Sequence, residues 1–342
     1  MKAIVLSCPE KNMSAAPSER FQNLIAALNE GGIVGSHHIL HSRSQLLQIL
    51  HAEQPDIVFS AAYHTRGDSD ELLNIHRILE ELEIPYVGSD PDTLELVLSK
   101  TKLKNRWKTE DVPTPDYFLV RRSETWMRGL DRMPGVNGFP YILKPDQEGN
   151  SRGLSEDSIV FDQPALESKL SGLLDRYDEI LVERYLGTNL DIREFTVAMI
   201  GNGDQVLLMP VELVLLRERK LRIITTQDKN QNFTSATPVD DYGMKERLLR
   251  LADRAFRAAG VRDYARCDVI SANGELFAIE INGQPMVPDE WFGACARGVG
   301  LDTAQYINAI FLAAIARNLK QGKSHLVIPL EMKKLLKRSS FD

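Results

Sequence analysis

Residues 265–285 read ARCDVISANGELFAIEINGQP. Two strand-like runs flank an Ala-Asn-Gly step, and the turn register decides which side chains share a face, because alternate residues of a strand point the same way. A two-residue Asn-Gly loop would pair Asp268 with Ile279 and put Asp268 on the face opposite Glu280. A three-residue loop, Ala272-Asn273-Gly274, pairs Asp268 with Ala278 instead, with the glycine at the left-handed position. Arg266, Asp268, Glu280 and Asn282 then share one face, while Cys267, Val269, Phe277, Ile279 and Ile281 form the core face. That register separates polar from apolar, and it predicts the three-residue loop. Two carboxylates and a carboxamide oxygen converging without His or Cys suit a hard cation, Mg²⁺ or Mn²⁺, which takes oxygen ligands and shares them with nucleotide phosphates. The competing reading is a pair of acids on a solvated sheet face. The arginine on the same face and the abrupt Gly-Pro exit favour the metal.

A second stretch carries the opposite charge. KPDQEGNSRG, residues 144–153, joins a strand-end lysine to a Gly-rich loop. Backbone amides of such a loop can cradle phosphate oxygens, and Lys144 adds a point charge. The stretch matches neither GxxxxGK[ST] nor GxGxxG, and by itself it is equally an ordinary surface turn. Lys100, in a lysine-rich segment, is a second cation; taken alone it reads as a solvated helix face.

The remaining chain sets the frame. Its 342 residues allow two or three domains, and 43% hydrophobic with 26% charged residues is ordinary for a globular protein. A formal net charge of −7 argues against a nucleic-acid partner, since little would neutralise phosphates. The three cysteines are an odd count and form no CxxC, which fits a reducing compartment, the cytoplasm. MKAIVLSC reads as a first buried strand rather than a secretory leader, and no stretch is long and apolar enough for a membrane helix. EMKKLLKRSSFD, residues 331–342, reads as a solvated or frayed basic tail.

Over the first hundred residues strands alternate with amphipathic helices: AIVLS, a helix through Phe21 and Leu28, DIVFSA, a helix over 70–82, then IPYVG. That alternation implies a parallel sheet covered on both sides. A lysine-rich helix over roughly 93–110 leads to VPTP. Beyond it come a strand (141–145), a helix (164–177), a strand (179–186), a hairpin through Gly-Asn-Gly, a long helix (241–259), the hairpin quoted above and a last helix (302–318). The order is an α/β domain followed by two α+β units. GSHHILH (35–41) reads as a surface loop without an acidic partner, and His76 as a surface or internally satisfied helix residue.

Taken in order, these motifs resemble the D-alanine–D-alanine ligase family of ATP-grasp enzymes over residues 55 to 286. HTRGDSDELLNIHRILEELEIPYVGSD resembles the family's first-domain segment and puts His64 on its histidine. LSKTKLK puts Lys100 on the first nucleotide-binding lysine. YILKPDQEGNSRGLS carries Lys144 and the loop residues Gly149, Asn150 and Ser151. ILVERYL resembles the hinge strand at adenine, with Glu183 toward the base and Tyr185 and Leu186 giving backbone contacts. REFTVA puts Glu194 on the ribose. The 265–285 hairpin puts Arg266 at the transition state and Asp268, Glu280 and Asn282 on magnesium, and Lys229 falls on the mobile-loop lysine.

The resemblance implies a three-domain ATP-grasp fold. An N-terminal parallel α/β domain (1–104) precedes two α+β units (105–186 and 187–330) that sandwich ATP, with a basic tail over 331–342. It implies an ADP-forming ligase joining a small-molecule carboxylate to an amine through an acyl phosphate, and a homodimer. Catalytic roles fall to Arg266, Lys229, His64 and Ser151. An ATP-grasp kinase and a non-catalytic nucleotide-binding protein are the two alternatives.

The sequence departs from the family at the substrate end. Asn150 stands at a loop serine, Asn230 follows Lys229, and SCPEKNMSAAPSER offers Glu10 or Glu19 where one glutamate is expected. GQPMVPDEWFGA replaces the family's SPGMT stretch, with Met286, Asp289, Glu290 and Trp291 on the acceptor side. An acidic, aromatic pocket of that kind suits a cationic or bulkier amine; the alternative is that Asp289 and Glu290 merely begin a short helix.

Overall fold

Apolar runs of strand length build the N-terminal layer. β1 (Lys2–Ser7), β2 (Val34–Ile39), β3 (Ile57–Ser60) and β6 (Tyr86–Val87) form a parallel sheet in the order β2-β1-β3-β6, with α1 (Pro17–Glu30), α2 (Arg43–Glu53) and α3 (Ile75–Glu81) connecting them. The computed structural model describes residues 1–9, 17–67, 69–123, 138–148, 155–188, 191–216, 221–222 and 233–337. The helix expected over 70–82 starts only at Ile75. Asp70 is left-handed (φ 66), β5 (Leu72–Asn74) pairs with β4 (His64–Arg66), and the Asn74 side chain caps α3. The histidine run is not a loop but the edge strand β2. His37 stacks on Phe21 at 4.2 Å between centroids, and His38 does have an acidic partner, Glu53.

The single helix expected over 93–110 is two, α4 (Pro91–Leu98) and α5 (Lys100–Thr109). Ser99 breaks them at φ −89, ψ 110 and caps α5 by accepting from Lys102 N. The break sets Lys100 at the first position of a new helix, and the boundary expected at 104 falls inside α5. β7 (Tyr117–Arg121), β8 (Tyr141–Pro145), β9 (Ile159–Val160) and β10 (Glu179–Arg184) form an antiparallel sheet in the order β7-β10-β8-β9, backed by α6 (Gln163–Leu174).

A five-stranded antiparallel sheet follows, in the order β13-β12-β11-β14-β15: β11 (Ile192–Asn202), β12 (Gln205–Leu215), β13 (Thr234–Pro238), β14 (Asp263–Ala272) and β15 (Glu275–Asn282). α7 (Tyr242–Ala259) covers one face together with α5, and α8 (Glu290–Arg297) and α9 (Thr303–Lys320) cover the other.

The turn between β14 and β15 corrects the expected register. Ala272 pairs with Glu275, so the loop has two residues, Asn273 and Gly274, both at positive φ (51 and 78). The register then shifts between Asp268 and Val269: Val269 faces Ala278, and Asp268 faces Glu280. Ile279 is the extra residue of a β-bulge. The bulge restores the polar face that a regular two-residue hairpin would have scrambled. Arg266, Asp268, Glu280 and Asn282 do share a face, but Phe277 and Ile279 leave the core and are half-buried.

The cores do not follow the sheets. Residues of β1, β3 and α1 belong to one apolar cluster with Ala198, Met209 and Val211 of the C-terminal sheet and with α8 and α9; Phe59 and Phe311 stack at 5.9 Å. Asp263, fully buried at φ 64, pins the junction. Its carboxylate accepts from Arg317 at 2.7 and 2.9 Å, from Gly88 N at 2.8 Å and from Asn202 Nδ2 at 2.9 Å. The stretch expected as a frayed tail is in large part α10 (Leu330–Leu336), whose Met332 is completely buried.

Candidate active site

α5, β8 and β10 bring three charged side chains into one buried cluster. On α5, positions 100, 103, 104 and 107 share a face by helical spacing, so Lys104 lies beside Leu103 and Trp107 rather than in water. Glu183 on β10 accepts from Lys144 Nζ at 2.5 Å, and Lys104 Nζ lies 2.7 Å from its other oxygen. Burial alone would raise the Glu183 carboxyl; the Lys104 and Lys144 ammoniums outweigh it and hold the group down at about 2. Lys100 is also buried, and its ammonium donates to the Glu148 carbonyl. Burial lowers its pKa, and Glu280, near enough to act on it, opposes the shift.

The facing wall comes from the five-stranded sheet. Thr196 on β11 donates to Asp268 Oδ1 at 2.7 Å, which orients that carboxylate toward the side shared with Glu280. Arg266 is nearly buried between Asp268 (3.5 Å) and Asp289 (3.6 Å), with its guanidinium 5.4 Å from the Trp291 ring centre. Arg266 Nε is the atom that faces Asp268 Oδ1 at 3.5 Å, and it makes no tighter hydrogen bond among the described residues. One cavity is lined by Lys100, Lys144, Glu183, Asp268, Glu280 and Trp291, and also by Tyr185, Leu186 and Glu194. Glu194 there pairs with Arg222 at 3.1 Å, and Tyr185 donates to the Arg222 carbonyl at 2.8 Å.

The N-terminal layer reaches the end of β15 through Tyr63 and Ser60. Tyr63 donates to Asn282 Oδ1 at 3.2 Å, and Gln284 N donates to the same oxygen at 3.1 Å. Gln284 in turn donates to the Ser60 carbonyl. The chain can make this turn because Gly283 lies against α4: a Cβ there would meet Val97 at 2.7 Å. His64, the residue picked out in the sequence, sits beside Tyr63 with ring centroids 6.4 Å apart, and burial lowers its imidazole.

Comparison with known proteins places this geometry. The D-ala D-ala ligase C-terminus family matches residues 106–311, more than half of the chain. The chain belongs to this family. A D-alanine–D-alanine ligase of Ralstonia nicotianae is 29% identical over 257 residues, covering 73% of this chain and 72% of that protein; one of Bordetella avium is 28% identical over 296 residues, covering 84% and 86%. Among solved structures, a Bacillus anthracis D-alanine–D-alanine ligase crystallised with ATP overlays with a TM-score of 0.72 at 20% identity, covering 94% of this chain and all of that one. The Coxiella burnetii enzyme gives 0.67 at 18% identity, over 95% and 98%. The three-domain ATP-grasp architecture expected from the sequence is therefore the fold. As a member of the D-alanine–D-alanine ligase family, the protein is an ATP-using ligase that forms a peptide-like C–N bond between small molecules.

Within this ligase the expected residues divide into groups. Lys100, Lys144, Glu183, Tyr185, Leu186, Glu194, Asp268 and Glu280 line one cavity, and Arg266 and Asn282 lie on the same sheet face as Asp268 and Glu280. Gly149, Asn150, Ser151, Lys229, Asn230 and Glu10 lie outside the described residues; Glu19 is an exposed residue of α1. Lys104, Thr196 and Tyr63 were not expected. Helical spacing with Leu103 and Trp107 is the signal that marks Lys104, and the pairing of REFTVA with the metal strand marks Thr196; Tyr63 had no local signal. On the acceptor side Asp289 caps α8 by accepting from Phe292 N at 2.6 Å and faces Arg266, while Glu290 is exposed. Burial raises the Asp289 carboxyl, and Arg266 opposes it.

The residues fit a magnesium ion shared with phosphates better than a resident one. Among the described residues no three His, Cys, Asp or Glu side chains are placed to hold a metal. Asp268, Glu280 and Asn282 supply only part of an octahedral shell, which leaves positions for phosphate oxygens and water.

Proposed function

We infer that the protein joins an amino acid or related acid to an amine, with ATP converting the acid to an acyl phosphate and ADP and the amine then displacing phosphate. The observation that carries this reading is one cavity with Lys100 and Lys144 on one wall and Asp268 and Glu280 on the other, with the Arg266 guanidinium against Asp268. Phosphoryl transfer needs positioning and charge stabilisation more than covalent help from the protein. Lys144, fixed by Glu183, and Lys100 hold the phosphates. Arg266 faces the charge that develops as the acid's oxygen bonds to the γ-phosphorus, and the same guanidinium then stabilises the anionic oxygen formed when the amine attacks the acyl carbon. Magnesium held by Asp268, Glu280 and Asn282 would neutralise phosphate charge. Lys229 and Ser151 belong to the loops of this reading, Glu194 to the ribose and His64 to the acid substrate.

On the acceptor side, Trp291 lines the cavity while Asp289 faces Arg266. Bulk, rather than positive charge, is therefore the feature we assign to the amine. A cytoplasmic homodimer without nucleic-acid or membrane partners completes the proposal. It is supported by the acidic net charge, the free cysteines and the family, and no helix of the described residues is long and apolar enough to cross a membrane.

The test is an acceptor screen with ATP, magnesium and D-alanine as the acid, following ADP and phosphate. Phosphate release that requires an amine supports ligation. ADP formation with the phosphate retained on a hydroxyl substrate would replace it with a kinase, and a strong preference for D-alanine as acceptor would overturn the bulky-amine assignment.

A further inference from the structure

We propose that Asp146 is a positioning residue of the ATP site, clamping the first turn of α5 to the end of β8 so that Lys100 and Lys144 converge. Asp146 lies two residues beyond Lys144 and is 1% exposed. Its Oδ1 accepts from Thr101 N at 2.8 Å and from Thr101 Oγ1 at 2.6 Å, and its Oδ2 accepts from Ser99 Oγ at 2.5 Å. Its main-chain carbonyl accepts from Lys100 N at 3.2 Å, and its N–H donates to Glu179 O at 3.1 Å, at the start of β10. One residue thus grips both neighbours of Lys100 and ties them to the two strands that carry Lys144 and Glu183.

The chemistry of a helix start explains why a carboxylate suits this place. The first N–H groups of α5 have no partner within the helix. Asp146 takes those of Lys100 and Thr101, Ser99 takes that of Lys102, and a negative charge is favourable there. The break at Ser99 separates α5 from α4, so the start of α5 is set by this clamp rather than by a continuous helix. The Lys100 ammonium, folded back over the carbonyls of Pro145, Asp146 and Glu148, depends on that placement. Asp146 does not itself line the cavity; it acts through Lys100, which does.

The proposal rests on the reading of Lys100 as a nucleotide contact, and a double-mutant cycle separates the two. Kinetics are measured for the parent, Asp146→Ala, Lys100→Ala and the double variant, with KM for ATP and for the acid determined separately and Tm alongside. Asp146→Ala is expected to raise KM for ATP about tenfold, less than the roughly hundredfold that a misplacement of about 1 Å can cost, and to leave KM for the acid within about twofold. In the Lys100→Ala background the same change should shift KM for ATP by less than about twofold, because residues acting through one another are not additive. Asp146→Asn, which keeps an acceptor for Thr101 and can donate to Ser99 Oγ, should restore KM to within about threefold. If Asp146→Ala does not accumulate, Thr101→Val removes one donor to the same carboxylate and should raise KM for ATP in the same direction. Equal effects with and without Lys100, or a lowered Tm with unchanged KM for ATP, would overturn the positioning role. A parental KM for ATP in Lys100→Ala would overturn the underlying reading of Lys100.

Discussion

Replacing Lys104 with Met probes the buried cluster at a residue that does not itself line the cavity. The ammonium is completely buried, 2.7 Å from Glu183 and 2.5 Å from Thr114 Oγ1. Methionine keeps most of the stem's volume, so the change removes charge more than packing. The Glu183 carboxyl is held at about 2 against an ordinary 4.5, which corresponds to about 3 kcal/mol supplied by the two lysines net of burial. Breaking a buried pair by removing one partner costs about 3–5 kcal/mol. Lys144 remains, so the lower end applies, about 3 kcal/mol. At roughly 2 °C per kcal/mol for a long chain, Tm should fall by about 6 °C near neutral pH. The acid limb should change as well. Because the folded-state pKa of Glu183 is depressed, its stabilisation is full above 4.5 and is lost as pH falls from 4.5 toward 2; Lys104→Met should flatten that loss. The assay is thermal melting of the parent, Lys104→Met, Glu183→Gln and the double variant between pH 3 and 8. The double variant should melt above the additive value by more than about 2 °C, since the pair is coupled. A fall of less than about 1 °C for Lys104→Met, or strict additivity, would refute the account of a charged, mutually stabilised pair.

Two further predictions follow from the same physical reading. His76 is buried, donates from Nδ1 to Ser89 O at 2.8 Å, and is pushed by burial down to about 4 from 6.5, so the folded chain keeps the ring neutral while the unfolded chain protonates first. Stability should therefore fall as pH drops from 6.5 toward 4, by about 2 kcal/mol at pH 5; His76→Gln should remove that slope, and identical Tm–pH curves for the two proteins would count against it. Tyr63→Phe releases one of the two hydrogen bonds on Asn282 Oδ1, and should tighten Mn²⁺ binding about threefold, the equivalent of one modest hydrogen bond. Titration followed by the Mn²⁺ electron spin resonance signal measures this, and unchanged or weaker affinity would argue that Tyr63 supports the ligand geometry instead of competing with the ion.

Much of the site was legible because it depends on short-range rules. Strand alternation brought Glu280 and Asn282 to one side, and the motifs that carry Lys100, Lys144 and Glu183 meet at one cavity. The hairpin shows the limit. Its Asn-Gly step adopts the two-residue turn, and the polar face survives through a bulge at Ile279. Pattern separation alone pointed to the right polar face by way of the wrong loop, and misplaced Phe277 and Ile279, because a turn and a bulge shift register by the same single residue. The helix over 93–110 failed for a related reason. Ser99 is an unremarkable helix residue by propensity; in the fold it breaks the helix and caps α5, with Asp146 from the end of β8 holding the new helix start.

By itself the sequence determined which residues could carry charge to a nucleotide, since strand and helix periodicity are local properties of the backbone. Only the tertiary structure decided how those charges are used. Lys104 is a helix lysine until β10 places Glu183 against it, and Tyr63 an aromatic beside a histidine until the shared core draws the N-terminal layer onto the 282–284 turn. Asp289 is an acceptor-pocket acid until α8 begins there and turns it to Arg266. The physical reason is the same in each case: a buried charge or hydrogen bond is stable only with its partner present, and those partners lie dozens to hundreds of residues away, beyond the reach of any local pattern.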